Sequence, residues 1–477
     1  MTASLDDLLA DYPEPVDATA QQVREAAAGR RRVLIVLDDD PTGTQSVADL
    51  PVLTDWSVES MVWALQQECP AVYVMTNSRS VDPEVAAERN REVARAAFAA
   101  ADRTGREVDF VSRSDSTMRG HFPLEPNVLA DCISERGAGE VDGIVIVPAF
   151  PAAGRITVGG VHYAGAMASG FTPVGETEFA RDATFGYTKS RLAEWVEEKS
   201  GGQIPADRVI EIGLAELRTD LTGVVARLRQ ARNRQPIVVD IVDESDLSQF
   251  SLALQGAEDA GSRFLYRVAP PFPRARIGQD PRPPLERDEL HAIRAGGLAE
   301  NSVGGLVMVG SHVKQTTDQL AELRARRHPV ELEIDVRTVL GEGRDSHLTE
   351  VVDQAVQALA EGNVVVRTSR TLVTGSDAAD SLRLARLVSD AVVEVSRRVL
   401  AGYPPRFVVA KGGITSSDVA ARGLSIARAF VRGPMLPGIV SLWEPVDGPA
   451  RGIPYIVFAG NVGDAQGLAD VVDKLSE

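Results

Sequence analysis

Cysteine is nearly missing from this chain: Cys69 and Cys132 are the only two among 477 residues, far apart and without a partner motif. That excludes a disulfide framework, and the expected setting is a reducing cytoplasm. Positive charge is short as well. Fifty Lys and Arg face 68 Asp and Glu, a formal net charge of −18. A broad grip on nucleic acid needs clustered Lys and Arg, so nucleic acid is not an expected partner, although a local basic pocket for a small anion is compatible with this balance. No uninterrupted apolar run approaches the length of a membrane span, so no membrane partner is expected. Residues Met1 to Asp17 are acidic and lack the basic and apolar regions of a signal peptide.

Several familiar catalytic signatures are missing too. There is no G-x-x-x-x-G-K-[ST] phosphate loop, and no G-x-G-x-x-G follows a strand. The six histidines (121, 162, 291, 312, 328 and 347) are scattered without metal-ligand spacing. No G-x-S-x-G elbow occurs. Simple P-loop ATPase, Rossmann dehydrogenase, zinc hydrolase and α/β-hydrolase readings therefore lose their usual support.

What is present has the balance of a globular protein, with 44% hydrophobic and 25% charged residues. The length exceeds one ordinary core and suggests two domains. Apolar runs at Val33–Leu37, Ala71–Met75, Val108–Val111 and Ile144–Val147 read as buried strands, each ending in a polar or Gly/Pro-rich loop with helical stretches between. Ile237–Ile241 and Phe264–Val268 extend this βαβ pattern. The segment 269–285 holds six prolines and reads as a linker without regular structure. Beyond it, Gly305–Gly310, Val364–Val366 and Phe407–Val409 read as strands of a second α/β unit. Leu384, Val388, Ala391, Val392, Val395 and Val399 share one helical face there. The expected fold is α/β in two domains, 1–268 and 286–477, each a largely parallel sheet flanked by helices, with a ligand cleft between them.

Polar loops just after these strands carry the candidate chemistry, because ligands of a parallel sheet bind at its carboxyl edge. The first is Asp38-Asp39-Asp40-Pro41-Thr42-Gly43. Three adjacent carboxylates repel one another unless a cation, donors or a substrate hydroxyl compensate, whereas a plain turn needs one Asp. The second is Thr76-Asn77-Ser78-Arg79-Ser80. The third, Ser112 to His121, packs Arg113, Asp115, Ser116, Thr117 and Arg119 together. Its guanidiniums match a carboxylate or phosphate and its hydroxyls suit a polyol, although an internal Arg–Asp pair explains part of the pattern equally well. The fourth, Pro148 to Arg155, is a turn that could leave Arg155 at the surface. In the second unit, Gly310-Ser311-His312-Val313, Lys411-Gly412-Gly413-Ile414-Thr415 and Ala459-Gly460-Asn461-Val462-Gly463 each follow a strand. Glycines there let backbone N–H groups approach an anion, so three such loops point to a nucleotide. Gly433 to Gly438 reads as architecture, one wall of that site.

Taken in order along the chain, these segments resemble the four-carbon acid sugar kinase family, whose members phosphorylate threonate, erythronate or 3-oxo-tetronate with ATP. Asp38 to Ser46 is similar to the family's A-D-D-x-T-G-A-x-D opening in its first half. Arg113 to Gly120 matches K-x-D-S-T-L-R-G, and Pro148 to Arg155 matches P-A-F-P-x-x-G-R. Gly310 to Gln319 corresponds to G-S-x-S-x-x-T-x-x-Q, Gly412 to Thr415 to G-G-D-T, and Gly460 to Gly463 to G-N-F-G. Ser46 stands where the family has Asp, Val313 where it has Ser, and Ile414 where it has Asp, which marks a divergent branch.

The resemblance implies a sugar-acid-binding first domain and an ATP-binding second domain, with Mg²⁺ on the phosphates. It implies Asp40 and Asp115 as catalytic carboxylates and Asp39, Arg79, Ser116, Arg119 and Arg155 as substrate-binding residues. Ser311, Gly412, Gly413, Ile414, Thr415, Gly460 and Asn461 would hold the nucleotide. An NAD(P)-dependent oxidoreductase acting on a hydroxy acid and a non-catalytic solute-binding protein are the alternatives. The metal ligands, the acid itself and the choice between monomer and homodimer stay open.

Overall fold

The computed structural model of the chain describes residues 2–370 and 378–477, with 378–382 described by backbone alone. In chain order the strands are β1 (Arg32–Asp38), β2 (Leu50–Leu53), β3 (Ala71–Met75), β4 (Glu107–Arg113), β5 (Gly143–Val147), β6 (Arg155–Val158), β7 (Val161–Ala166), β8 (Gly170–Pro173) and β9 (Ile210–Ile212). They continue as β10 (Gln235–Val239), β11 (Phe264–Val268), β12 (Leu306–Val309), β13 (Val330–Ile334), β14 (Val364–Thr368), β15 (Val408–Lys411), β16 (Arg428–Leu436), β17 (Ile439–Pro445) and β18 (Tyr455–Phe458). The chain forms two compact units: Met1–Gly43 with Trp56–Pro281, and Thr44–Asp55 with Arg282–Glu477.

In the first unit, parallel strands run in the order β3-β1-β4-β11-β5-β10-β9. β3 and β5 are buried along their whole length, which is why they read as unbroken apolar runs and not as alternating ones. The register aligns their ends: Asp38 lies opposite Met75 and Arg113, and Val268 opposite Arg113 and Val147. Four polar loops therefore leave the sheet at one edge. β6, β7 and β8 form a separate antiparallel sheet.

In the second unit the order is β13-β14-β12-β15-β18-β17-β16-β2. The first five strands are parallel and the last three join antiparallel. Val309 lies opposite Arg367 and Lys411, and Lys411 opposite Phe458, so the loops after β12, β14, β15 and β18 also leave together. The 378–402 helix buries Ala391, Val392, Val395 and Val399, with Leu384 and Val388 only half-buried. Gly433 lies at a register shift in the β16–β17 hairpin, at φ +144, where any side chain is strained.

Two expectations about organisation need correction. The proline-rich segment is not an irregular linker: Pro271–Arg276 is a buried helix. Prolines at the start of a helix remove only N–H groups that have no intrahelical acceptor. The unit boundary falls within that segment, at Pro281 and Arg282, and 44–55 belongs with the second unit instead of the first. β2 pairs with β16, Thr44 and Ser441 share a hydroxyl hydrogen bond of 2.7 Å, and Trp443 Nε1 donates to Thr44 at 3.0 Å. Among the described residues, no helix is long and apolar enough to cross a membrane.

Candidate functional site

The loops of the first unit carry charge that is largely compensated from within. Asp38 is fully buried and pairs with Arg113, whose guanidinium also meets the Asp40 carbonyl. Gly43 sits against that pair, and a side chain there would collide with the Arg113 guanidinium. Asp39 is buried and receives both arms of Arg79: Nε to Oδ2 at 3.1 Å and Nη2 to Oδ1 at 2.6 Å. Burial pushes the Asp39 carboxyl up to about 6 even with Arg79 and Arg267 pulling it down. Arg79 lies 3.6 Å from Asp40, so its cation is spent on Asp39 and Asp40. Asp40 is a quarter exposed and accepts from the Thr42 N–H at 2.9 Å and from the Thr42 hydroxyl, an Asx-type turn.

The third loop is similarly tied. Arg119 Nε donates to Asp115 at 2.6 Å, and the Thr117 hydroxyl donates to the same oxygen. Burial works against the Asp115 anion, but Arg79, Arg119 and these hydrogen bonds outweigh it and hold the carboxyl well below the usual range. Arg267 on β11 is buried and donates to Glu125 at 2.9 Å, to the Ser112 hydroxyl at 3.0 Å and to the Arg119 carbonyl at 3.2 Å. Gly120 fits beneath it at φ +116; a Cβ would come within 2.5 Å of Arg267 Nη2 and 2.9 Å of Asp39 Oδ2.

His162, fully buried on β7, donates from Nε2 to the Ser116 carbonyl at 2.8 Å. A carbonyl can only accept, so Nδ1 takes the Thr157 hydroxyl proton at 3.0 Å. Burial pushes this ring down to about 4, which keeps it neutral. Tyr187 donates to the next carbonyl, Thr117, at 2.7 Å. The Ser116 side chain is left half-exposed beside Asp115.

Arg155 differs from every other arginine of these loops. Among the described residues no carboxylate lies within 4 Å of it, and its buried Nε has no partner. Its guanidinium sits 5.3 Å from the Phe179 ring centroid, and that of Arg119 sits 5.9 Å from the same centroid. Burial pushes the Arg155 cation down. Two guanidiniums on one aromatic ring form a cationic corner, with the Thr117 hydroxyl 3.2 Å from Arg119 Nε.

The second unit is built differently. The Thr316 hydroxyl donates to the Gly460 carbonyl at 2.9 Å and so accepts from the Ser311 hydroxyl at 3.0 Å. A Cβ on Gly310 would lie 2.1 Å from Thr415 Oγ1, and one on Gly460 would lie 2.5 Å from Ser311 Oγ. The glycines therefore give their room to neighbouring hydroxyls, and the three loops close on one another. Gly412, at φ +128, faces the Ser311 N–H, and Gly413 opens the next helix. Gln319 donates to the Val462 carbonyl at 3.0 Å and the Asp464 carbonyl at 2.7 Å. Asn461 is exposed, as is Ile414, with 59% of its surface open. Lys411 is fully buried, donates to the Ala459 carbonyl at 2.7 Å and lies 3.7 Å over the Phe458 ring; burial pushes its amine down to about 7.

The structure brings Asp39, Asp40, Arg79, Asp115 and Arg119 together in the first unit and Ser311, Thr415 and Gly460 together in the second, whereas Ile414 and Asn461 are exposed. Sequence reasoning missed Glu125, His162, Phe179 and Arg267. Arg267 carried a usable signal, a lone arginine inside an apolar strand; the others carried none.

Comparison with known proteins agrees with this division. Residues 34–276, half of the chain, match the family described as Sugar-binding N-terminal domain, and residues 306–468 match Nucleotide-binding C-terminal domain. The chain is 27% identical over 465 residues to the D-threonate kinase of Bordetella bronchiseptica, covering 93% of this chain and 97% of that one. It is 23% identical over 471 residues to the D-erythronate kinase of Heliobacterium modesticaldum, with the same coverage. A solved Haemophilus influenzae protein shares the fold at a TM-score of 0.59 and 16% identity, over 92% of this chain and 99% of that one. The chain belongs to the four-carbon acid sugar kinase family, in which a sugar-binding and a nucleotide-binding domain are joined in one polypeptide.

Proposed function

We propose that this protein is an ATP-dependent kinase that phosphorylates a hydroxyl of a small, four-carbon sugar acid. The observation that carries this reading is the Arg155–Arg119–Phe179 corner. It offers a cation with no carboxylate within 4 Å among the described residues, near the ionised Asp115 and the Thr117 hydroxyl, which suits a ligand with one carboxylate and several hydroxyls. Arg155 and Arg119 take the carboxylate. Ser116 and Asp115 take hydroxyls, with the loop held still by His162 and Tyr187 through consecutive carbonyls. Arg79 and Asp39 stiffen the floor and keep Asp40 oriented.

Asp40 accepts the proton of the attacking hydroxyl. It is the one carboxylate of Asp38–Asp40 that is open to solvent and not enclosed by an arginine fork. A loose phosphoryl transition state asks only for late proton transfer, which a positioned carboxylate can accept. Asp115 stays the second candidate for this role. ATP is held in the second unit by the Ser311, Gly412–Thr415 and Gly460–Asn461 loops. Among the described residues no three metal-ligating side chains converge. Mg²⁺ belongs to this reading as the partner of the ATP phosphates, where it would neutralise charge.

The test is ADP formation by the full chain with D-threonate, D-erythronate and 3-oxo-tetronates, with mass spectrometry of the product. ADP formation that depends on one acid, with a singly phosphorylated product, supports the reading. NAD(P) reduction by a hydroxy acid without ADP formation would replace it with the oxidoreductase alternative.

A further inference from the structure

A polyphosphate carries several negative charges, and the three glycine loops offer it hydroxyls and N–H groups but no obvious cation. The cations around these loops can be taken in turn. Lys314 is almost fully exposed and pairs with Asp318 at 2.7 Å. Arg367, inside β14, pairs with Glu331 and with Glu333 on β13. Lys411 is buried behind the loops with its amine on the Ala459 carbonyl. The His312 ring is pushed below its ordinary value by burial and by the charge of Arg370, so it is neutral at pH 7.

Arg370 remains. It stands two residues past the end of β14, the strand next to β12, and its guanidinium crosses to the loop after β12. Nη1 donates to the Ser311 carbonyl, and Nη2 to the Thr317 hydroxyl and the Val313 carbonyl. Carbonyl and hydroxyl oxygens orient a guanidinium without neutralising it. Among the described residues no carboxylate lies within 4 Å of Arg370, in contrast to Arg367 three positions earlier. Burial and the charge of Arg367 both push the Arg370 cation down, as expected of a positive group that lacks a counter-ion. It is only half-buried, so its remaining N–H groups are accessible.

We propose that Arg370 is the polyphosphate-binding cation of the nucleotide site, held by the Ser311–Thr317 segment and left unpaired for the ligand. The inference rests on the ATP reading above and adds to it a residue outside the glycine loops. It makes the nucleotide's phosphates, not its base, the part that this side chain recognises. Planar N–H forks bind phosphate oxygens in pairs, which an ammonium cannot do.

Calorimetric titration of the full chain with ADP and with adenosine tests this, using the wild type, Arg370→Gln and Arg370→Lys. The expected result is a tenfold or greater loss of ADP affinity in Arg370→Gln and an intermediate loss in Arg370→Lys, which keeps the charge but not the fork. Adenosine affinity should stay within twofold, and the melting temperature should hold, because no ion pair is broken. ADP affinity within twofold of wild type in Arg370→Gln, or an equal loss for adenosine, would overturn the assignment while leaving the ATP reading in place. A wild-type chain that binds neither ADP nor ATP would overturn both, and that outcome is distinct from the first.

Discussion

The loops at the carboxyl edges of the two parallel sheets are built from opposite materials. The first unit spends charge: Asp38 with Arg113, Asp39 with Arg79, Asp115 with Arg119 and Glu125 with Arg267 form a lattice of ion pairs, and Arg155 beside it has no carboxylate within 4 Å among the described residues. The second spends little charge and closes its loops with glycines and hydroxyls: Gly310 on Thr415, Gly460 on Ser311, and Thr316 on both Ser311 and Gly460. For the sugar acid proposed above, a fixed lattice of donors and acceptors would penalise any ligand that leaves a buried group unpaired. For the nucleotide proposed above, which is larger, a cradle of small groups with one cation at its side would suffice.

If this contrast is right, the two units should fail in different ways. The largest effect is expected at Asp40. Replacing it by Asn keeps the Thr42 turn but removes the charge, and kcat should fall roughly a hundredfold or more with the melting temperature unchanged. Near-normal turnover in Asp40→Asn with a large loss in Asp115→Asn would transfer the base to Asp115.

Next in size is Gly310→Ala in the second unit, where the added methyl would overlap Thr415 Oγ1. Overpacking of this kind costs about 1–3 kcal/mol. It should appear as a higher KM for ATP, with the KM for the sugar acid unchanged. A rise in both constants would show that the units do not divide the ligands.

The smallest effect concerns the support of the third loop. His162 titrates at about 4 in the fold against an ordinary 6.5, so the unfolded chain binds the extra proton in between. Stability is therefore fully present above pH 6.5 and lost progressively as pH falls towards 4. At pH 5 this amounts to about 2 kcal/mol by the same linkage, less whatever relaxation the site allows. His162→Gln should flatten the melting temperature between pH 6.5 and 4 compared with wild type. An unchanged acid slope in the variant would mean that another group governs it.

Much of this organisation is legible in the sequence because buried parallel strands announce themselves. β1, β3 and β5 are unbroken apolar runs, and the loops after them hold the polar clusters at Asp38–Asp40 and Arg113–Arg119. β2 is not legible: Leu50-Pro51-Val52-Leu53 is short, contains a proline and pairs with a strand nearly four hundred residues later. The helix at Pro271–Arg276 was hidden because proline density reads as irregularity unless the prolines fall in a first turn. Partnerships inside the site were hidden for a related reason. Nothing in the sequence says that Arg79 closes on Asp39, that His162 holds Ser116, or that the Arg155 Nε is left without a partner; topology decides those pairings.

Arg155 provides the most direct test of the division of labour. Its replacement by Ala breaks no ion pair, so the fold should hold, but a charge-assisted contact worth about 1.5–3 kcal/mol would leave the acid site. Steady-state kinetics of Arg155→Ala should show the KM for the sugar acid raised at least tenfold and the KM for ATP within twofold of wild type. An unchanged KM for the acid, or an equal rise for ATP, would contradict the account.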